Sequence, residues 1–275
     1  MITIFLNGGL GNQLFQIFNL ISYSLENKVK FILQYSEYIQ HGTSIKRYTY
    51  WNSFLKNLKP FTVKQLPRLN IIKEKNFSYN KLPKELDNIM FIGYFQSYKY
   101  FENQYDNIIK FINLRNQQNI IRQKYNHYLD NVTVSMHFRI GDYKYIQNCY
   151  PLMTLKYYKK CLQKIIDLLN TDNINVIYFC QEENIEEVNE KISILKNDFQ
   201  NTNFIKASNV MEDWEQLLLM SCCNHNIIAN SSYSWWGAYF NENKNKIVCY
   251  PSLWFGEKLN YNKTDDLCPN DWIKV

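Results

Sequence analysis

The chain has 275 residues, room for one large domain or two small ones at roughly 100–200 residues each. Apolar residues make up 46% and charged residues 20%. That excludes disorder as the main state, which needs low hydrophobicity and high net charge. The net charge of +6 is mild and the lysines are scattered. A nucleic-acid binder would concentrate them on one face, whereas a weakly basic surface suits an enzyme that takes an anionic substrate such as a nucleotide diphosphate.

Residues 2–6 (ITIFL) read as a buried strand, followed by the turn Asn7-Gly8-Gly9-Leu10-Gly11-Asn12. Gln13 to Glu26 has apolar residues near helical spacing, and 29–34 (VKFILQ) looks like a second strand. Strand, glycine turn, helix and strand form a β-α-β opening and imply a parallel sheet. The stretch 36–88 is polar and irregular. Residues 89–95 then read as a strand and 100–127 as largely helical. No Gly- or Ser-rich linker follows, so a domain junction near 128 is expected to be short: 1–128 is one α/β domain and 129–275 a second, its tail packing back. The second series alternates strands at 132–138, 175–180, 204–207, 226–229 and 247–250 with helices at 155–169, 182–199, 213–223 and 234–241.

The seven cysteines are odd in number, form no C-x-x-C pair and have no zinc spacing with the four histidines. Reduced thiols in a cytoplasmic setting are expected, with peripheral attachment to a membrane as the alternative. No 18-residue apolar run offers a transmembrane segment. The 22 tyrosines would suit sugar and nucleotide pockets, but Asn, Lys, Ile and Tyr are over-used together, so a composition bias explains them as well.

Three motifs carry chemistry. The glycine turn at 8–13 lies between strand and helix, where backbone can approach an anion at a helix N-terminus. It is neither G-x-G-x-x-G nor a P-loop. His137-Phe138-Arg139-Ile140-Gly141-Asp142-Tyr143 follows a strand, so it projects at the carboxyl edge of a sheet, where open α/β folds bind ligands. Arg139 can grip a diphosphate with two parallel hydrogen bonds. Asp142 is a general base, an Arg partner or a capping residue. Asn230-Ser231-Ser232-Tyr233-Ser234-Trp235-Trp236 sits between a strand and a helix. Its serines suit phosphate, and its two tryptophans suit core packing.

Together, GGLGNQLFQ, HFRIGDY and NSSYSWWGAYF closely resemble the α-1,2-fucosyltransferase family, with smaller matches at 93–101, 219–221, 254–255 and 269–272. The resemblance spans residues 2–273. It implies a GT-B-like α/β fold of two facing Rossmann-like domains with parallel sheets, the donor bound in the second. It implies GDP-fucose as donor, a glycan or small saccharide as acceptor, and inverting transfer to a sugar hydroxyl, with the 2-OH of a galactoside expected. By the motif, His137 would contact the nucleotide, and Arg139 would hold the diphosphate and assist its departure. Asn230, Ser231, Ser232 and Tyr233 would hold phosphates and fucose. Asp213 or Glu215 would read the guanine edge. Gly9, Gly11 and Asn12 belong to the donor side of the glycine turn, and Asn12, Gln13 and Gln96 to the acceptor side. Arg139 and Asp142 are the catalytic candidates.

Two departures stand out. The family usually shows H-x-R-R-G-D, and here the second arginine is Ile140. Residues 139 and 140 of an extended segment point to opposite faces, so Arg139 keeps the cleft-facing role. The segment Phe179-Cys180-Gln181-Glu182 stands where the family tends to show a Ser and Asp residues. No D-x-D pair offers a metal-diphosphate clamp, so no metal or other cofactor is expected. A GDP-sugar transferase of other donor or linkage, and a catalytically weak carbohydrate- or nucleotide-binding relative, are the alternatives.

Overall fold

The computed structural model describes residues 1–40, 45–84 and 86–275. Residues 41–44 and 85, within the stretch read as irregular, lie outside the described residues. The chain divides into two compact units: Met1–Gln117 with Asn262–Pro269, and Gln118–Tyr261 with Asn270–Val275. The division falls ahead of position 128, and 262–269 joins the first unit while the last residues stay with the second.

The first unit opens with β1 (Ile2–Ile4), α1 (Leu10–Asn27) and β2 (Leu33–Gln34). The short strands β3 (Tyr38–Ile39), β4 (Arg47–Tyr48) and β5 (Thr62–Val63) follow, then β6 (Asn70–Lys73) and β7 (Ile89–Ile92). β1, β7 and β6 form a parallel sheet in the order β1-β7-β6. β2 pairs parallel with β5, and a parallel bridge from Ile2 to Phe31 joins that pair to the sheet. β3 and β4 pair antiparallel. The run 29–34 thus pairs with β1 through a single bridge at Phe31 and with β5 at its last two residues. Helix α1 starts at Leu10, earlier than expected, because the end of the glycine turn already has helical geometry behind Gly9. It ends where Lys28 turns left-handed. The helix is buried on nearly every side, with Leu14, Phe15, Phe18 and Ile21 in the core and Phe101 edge-on to Phe18 at 5.4 Å. The expected helical stretch is two helices, α2 (Tyr105–Phe111) in the first unit and α3 (Leu114–Lys124), which runs from the first unit into the second. Asn113 between them is left-handed (φ 52°), which stops the first helix.

The second unit is a doubly wound sheet. Its strands are β8 (Thr133–His137), β9 (Asn175–Phe179), β10 (Asn203–Lys206), β11 (His225–Ile227), β12 (Val248–Tyr250) and β13 (Ile273–Lys274). The helices are α4 (Leu155–Leu169), α5 (Ile185–Asp198), α6 (Asp213–Cys222) and α7 (Ser232–Tyr239). All strand pairs are parallel, in the order β10-β9-β8-β11-β12-β13. The chain winds outward from β8 through β9 to β10, then crosses to β11 on the other side of β8. The switch point between β8 and β11 is where open sheets of this kind leave a crevice at the carboxyl ends. Apolar strand residues such as Val134, Met136, Val176 and Ile227 pack with Tyr158, Leu162 and Ile165 of α4. β13 had no signal in the sequence: two residues, paired only to β12.

All seven cysteines are free thiols. Burial pushes the Cys180 and Cys222 thiols up to about 11, which makes them poor nucleophiles at neutral pH. Among the described residues no helix is long and apolar enough to cross a membrane, and no cluster of three metal-ligating side chains occurs.

Candidate active site

The switch point of the second unit gathers the motif residues of that unit. β8 ends at His137, which is 8% exposed. Burial, aided by the Arg139 charge, pushes the His137 imidazole down to about 3, so the ring is neutral at physiological pH. Its Nδ1 has no hydrogen-bond partner. The Tyr233 ring lies 5.4 Å from it, and the Tyr233 hydroxyl donates to the Asp213 carbonyl at 2.5 Å. His137, Tyr233 and the first turn of α6 therefore form one group.

Arg139 is fixed from three sides. Its guanidinium donates to Gln181 Oε1 at 2.8 Å, pairs with Asp142, and lies 4.6 Å above the Tyr143 ring. Tyr143 in turn stacks on Tyr150 (4.9 Å, 25°). Gly141 makes this possible. Its φ is +33°, and a Cβ there would come within 2.1 Å of Gln181 Oε1. The Gly141 N–H donates to Asn184 Oδ1 at 2.9 Å. Gln181 and Asn184 were not site candidates. The signal was their place just after β9, at the same sheet edge as the 138–143 loop. Asp142 lies against Arg139, its expected alternative as an Arg partner.

Ile140 points away from Arg139 and is 5% exposed within the apolar core of the second unit. The position that usually carries a second arginine is filled here by a core side chain.

Ser231 is the N-cap of α7, and its hydroxyl accepts from the Tyr233 N–H at 3.4 Å. Ser232 opens the helix beside it. Asn230 is a brace, which differs from the donor contact expected: it is 1% exposed and its Nδ2 donates to the Pro151 and Trp254 carbonyls at 3.0 and 3.1 Å. Trp235 and Trp236 are fully buried.

Of the two candidate acids in α6, only Asp213 is exposed. Glu215 is 7% exposed and completes a capping box with Glu212. It also receives Lys124 Nζ at 2.6 Å and the Tyr125 hydroxyl at 3.1 Å. Burial pushes its carboxyl up, but the lysine, the Glu212 N–H and the Tyr125 hydroxyl outweigh it and leave it below its usual value. Glu215 is thus an anchor for α6 rather than a reader of bases.

In the first unit the glycine turn is held from several sides. Gly8 is left-handed (φ +81°), and a Cβ there would lie 2.4 Å from Asn12 Nδ2. Gly9 caps α1, and a Cβ on it would meet nothing within 4 Å, so space above it is open. Gly11 is buried in the first turn. Asn12 Oδ1 accepts from Gln96 Nε2 at 2.8 Å. Gln13, expected on the acceptor side, is 0% exposed, and its Nε2 donates to the Gly8 and Tyr48 carbonyls at 3.0 and 2.8 Å. It braces the turn from beneath. Gln96 is also buried. Its loop is ordered by Glu74, which the sequence did not single out. Glu74 Oε2 accepts from the Tyr94 N–H at 2.7 Å and Oε1 from the Phe95 N–H at 2.9 Å. Gly93 leaves the space that side chain needs.

Comparison with known proteins follows the same lines. The family model described as Glycosyl transferase family 11 matches residues 1–275. An alpha-1,2-colitosyltransferase of Escherichia coli is 26% identical, covering 98% of this chain and 97% of its own length. The O-antigen biosynthesis glycosyltransferase WbnK of Escherichia coli is 31% identical over 52% of this chain and 44% of its own. Among solved structures, a glycosyl transferase family 9 protein of Veillonella parvula is 10% identical, with TM-score 0.47, over 100% of this chain and 86% of its own. The ADP-heptose LPS heptosyltransferase II of Escherichia coli is 11% identical, with TM-score 0.39, over 58% of this chain and 43% of its own.

Proposed function

The chain belongs to glycosyltransferase family 11, and from that membership we propose that it moves L-fucose, or a sugar close to it, from a GDP ester to a sugar hydroxyl. The expected acceptor position is the 2-OH of a galactoside, with inversion at the anomeric carbon. The observation that carries this reading is Arg139, held in one plane by Gln181, Asp142 and Tyr143 at the switch point of the second unit. A fixed guanidinium offers two parallel N–H groups to a diphosphate. As the anomeric C–O bond breaks, the bonding pair leaves with GDP, and the growing negative charge meets an arginine already oriented for it. The N-terminus of α7, with Ser231 and Ser232, adds backbone N–H groups to the same task.

His137 contributes as a neutral ring. It stands beside Tyr233 at the end of β8, where a bound nucleotide would pass. Asp213, exposed and tied through its carbonyl to the Tyr233 hydroxyl, would accept from a guanine N1–H and amino group on this reading. Arg139 and the helix terminus supply positive potential without a resident metal, so the reading includes metal-independent transfer. On the same reading Gly9, Gly11 and Asn12 of the glycine turn serve the donor, and Asn12 with its partner Gln96 the acceptor.

A second reading keeps the chemistry and changes the donor. It is favoured by the relative named as a colitosyltransferase. One experiment addresses both: GDP release from GDP-fucose and from GDP-colitose, each with a panel of β-galactosides. Acceptor-dependent release from GDP-fucose supports the first reading, and release from GDP-colitose alone the second. Release from neither, with a UDP-sugar active instead, would overturn both.

A further inference from the structure

Three segments leave the carboxyl edge of the first unit's sheet side by side: the chain after β1, the chain after β7, and Glu74 directly after β6. Ile4 of β1 pairs in register with Phe91 of β7. Asn7 and Tyr94 each follow three residues later and meet: Asn7 Nδ2 donates to the Tyr94 hydroxyl at 3.3 Å. Within residues 91–100 only Tyr94 is exposed, at 39%. Ligands of open α/β sheets bind at such an edge. None of Asn12, Gln13 and Gln96, the residues expected on the acceptor side, offers an aromatic face.

A lone exposed tyrosine is ordinary on a protein surface. Tyr94 differs in how firmly its backbone is held. The Gly93 carbonyl accepts from Gln16 Nε2 at 2.9 Å. The Tyr94 and Phe95 N–H groups both donate to the Glu74 carboxylate. Phe95 is left-handed (φ 53°), a costly conformation for an aromatic residue. Its ring is buried and meets Phe91 and Tyr100 edge-on at 6.1 and 5.4 Å, which holds it there. Gln96 is tied to Asn12. Every residue from 93 to 96 is thus pinned, and the loop turns one ring outward. A surface ordered beforehand loses little freedom when a ligand settles on it. Tyrosine combines an apolar face with a polar tip, and a galactoside gathers C–H groups on one face of its ring. The Tyr94 oxygen accepts from Asn7, so its own proton can go to a sugar hydroxyl. Asn7 and Gly8 also line a cavity of about 150 Å³ with Ile39, Ile45 and Arg47, which leaves room beside the ring.

We propose that Tyr94 is the platform on which the acceptor sugar lies, with Glu74 behind it as the positioning residue. The ring carries the C–H face of a galactoside, the hydroxyl donates to one of its oxygens, and Glu74 fixes the backbone that aims the ring. This rests on the glycosyltransferase reading above, in which Asn12 and Gln96 serve the acceptor. It adds two residues to which that reading gave no part.

The test titrates the full chain with lactose by saturation-transfer NMR, in the presence of GDP, and measures GDP affinity separately. Tyr94→Ala and Tyr94→Leu should each weaken lactose by about ten-fold, whereas Tyr94→Phe, which keeps the ring, should stay within about three-fold. The leucine variant keeps apolar bulk without a planar face, so it separates a platform from mere packing. GDP affinity and thermal melting should match the parent, and in transfer assays the loss should fall on the lactose KM rather than on kcat. Glu74→Gln should weaken lactose in the parent and add little in Tyr94→Ala, as expected of a residue that acts through another. Parental lactose affinity in the alanine or leucine variant, or an equal loss of GDP affinity, would overturn the platform. Additive effects of the two positions would overturn the role of Glu74. A parent that binds GDP but neither lactose, N-acetyllactosamine nor methyl β-galactoside would overturn the platform and leave the donor reading standing. Lactose binding that depends on Tyr94, in a chain that does not bind GDP, would uphold the platform and count against the nucleotide-sugar reading.

Discussion

Arg139 works as a fork only if its plane is fixed, and Gln181, Asp142 and Tyr143 fix it. Arg139→Ala should lower kcat by about 10²–10³, the range for losing one oriented donor to a developing charge. Arg139→Lys should recover little, because a point charge cannot reproduce two parallel bonds. Steady-state kinetics beside a circular-dichroism melt would check both, and near-parental turnover in the lysine variant would count against a fork. Asp142 lies against this guanidinium, so Asp142→Asn should weaken GDP binding and turnover together. A variant that kept GDP affinity and lost only acceptor transfer would instead mark Asp142 as a base. At the neighbouring position the side chain serves the core. Ile140→Arg, which restores the usual sequence of the family motif, places a charge where the residue is 5% exposed. It should cost about 2–4 kcal/mol of stability and bring no gain in turnover. Urea titration gives the stability, and an unchanged midpoint would show that this position tolerates the charge.

At the scale of elements, the strand-to-helix turns hold most of the chemistry, and each is set by contacts from elsewhere in its unit. The loop at 93–96 is the clearest case. Its conformation depends on Glu74, whose carboxyl burial pushes up to about 7 despite two N–H donors. Unfolded, this group ionises near its ordinary value of 4.5. Between the two values the folded chain holds a proton that the unfolded chain has released. The stability from this group is therefore full below about pH 4.5 and is lost as pH rises through about 7. Glu74→Gln, uncharged throughout, should flatten that slope. Urea midpoints at about pH 5 and about pH 8 should differ less in the variant than in the parent. The strand-turn-helix opening was legible because ITIFL and the glycines stand side by side in sequence. The role of Glu74 was not, because it acts on Tyr94 and Phe95 across two neighbouring strands. The same holds for Gln13 and Asn230. The sequence marks them as polar residues in a motif, and only packing reveals that their amide N–H groups are already used on the Gly8, Tyr48, Pro151 and Trp254 carbonyls.

For the whole molecule, the proposed donor predicts a thermal response. GDP at about a hundred times its Kd should stabilise the fold by about 2.7 kcal/mol and raise Tm by several degrees, whereas UDP should not. Asp213→Asn should erase this preference, and EDTA should change neither the shift nor turnover. Equal shifts with GDP and UDP, or a strict need for added Mg²⁺ or Mn²⁺, would count against the nucleotide reading. The sequence alone determined the α/β class, the parallel sheets, the positions of the three motifs at strand ends and the membership they imply. These follow from short-range patterns: apolar runs, glycines at turns and helical spacing. Only the tertiary structure decided which motif residues are exposed and which are braces, that Ile140 belongs to the core, and that Asp142 and Gln181 hold Arg139. It also placed the strand order that puts the switch point between β8 and β11. The physical reason is that burial and pairing are set by residues tens of positions apart, as Arg139 is from Gln181, and local pattern carries no record of those partners.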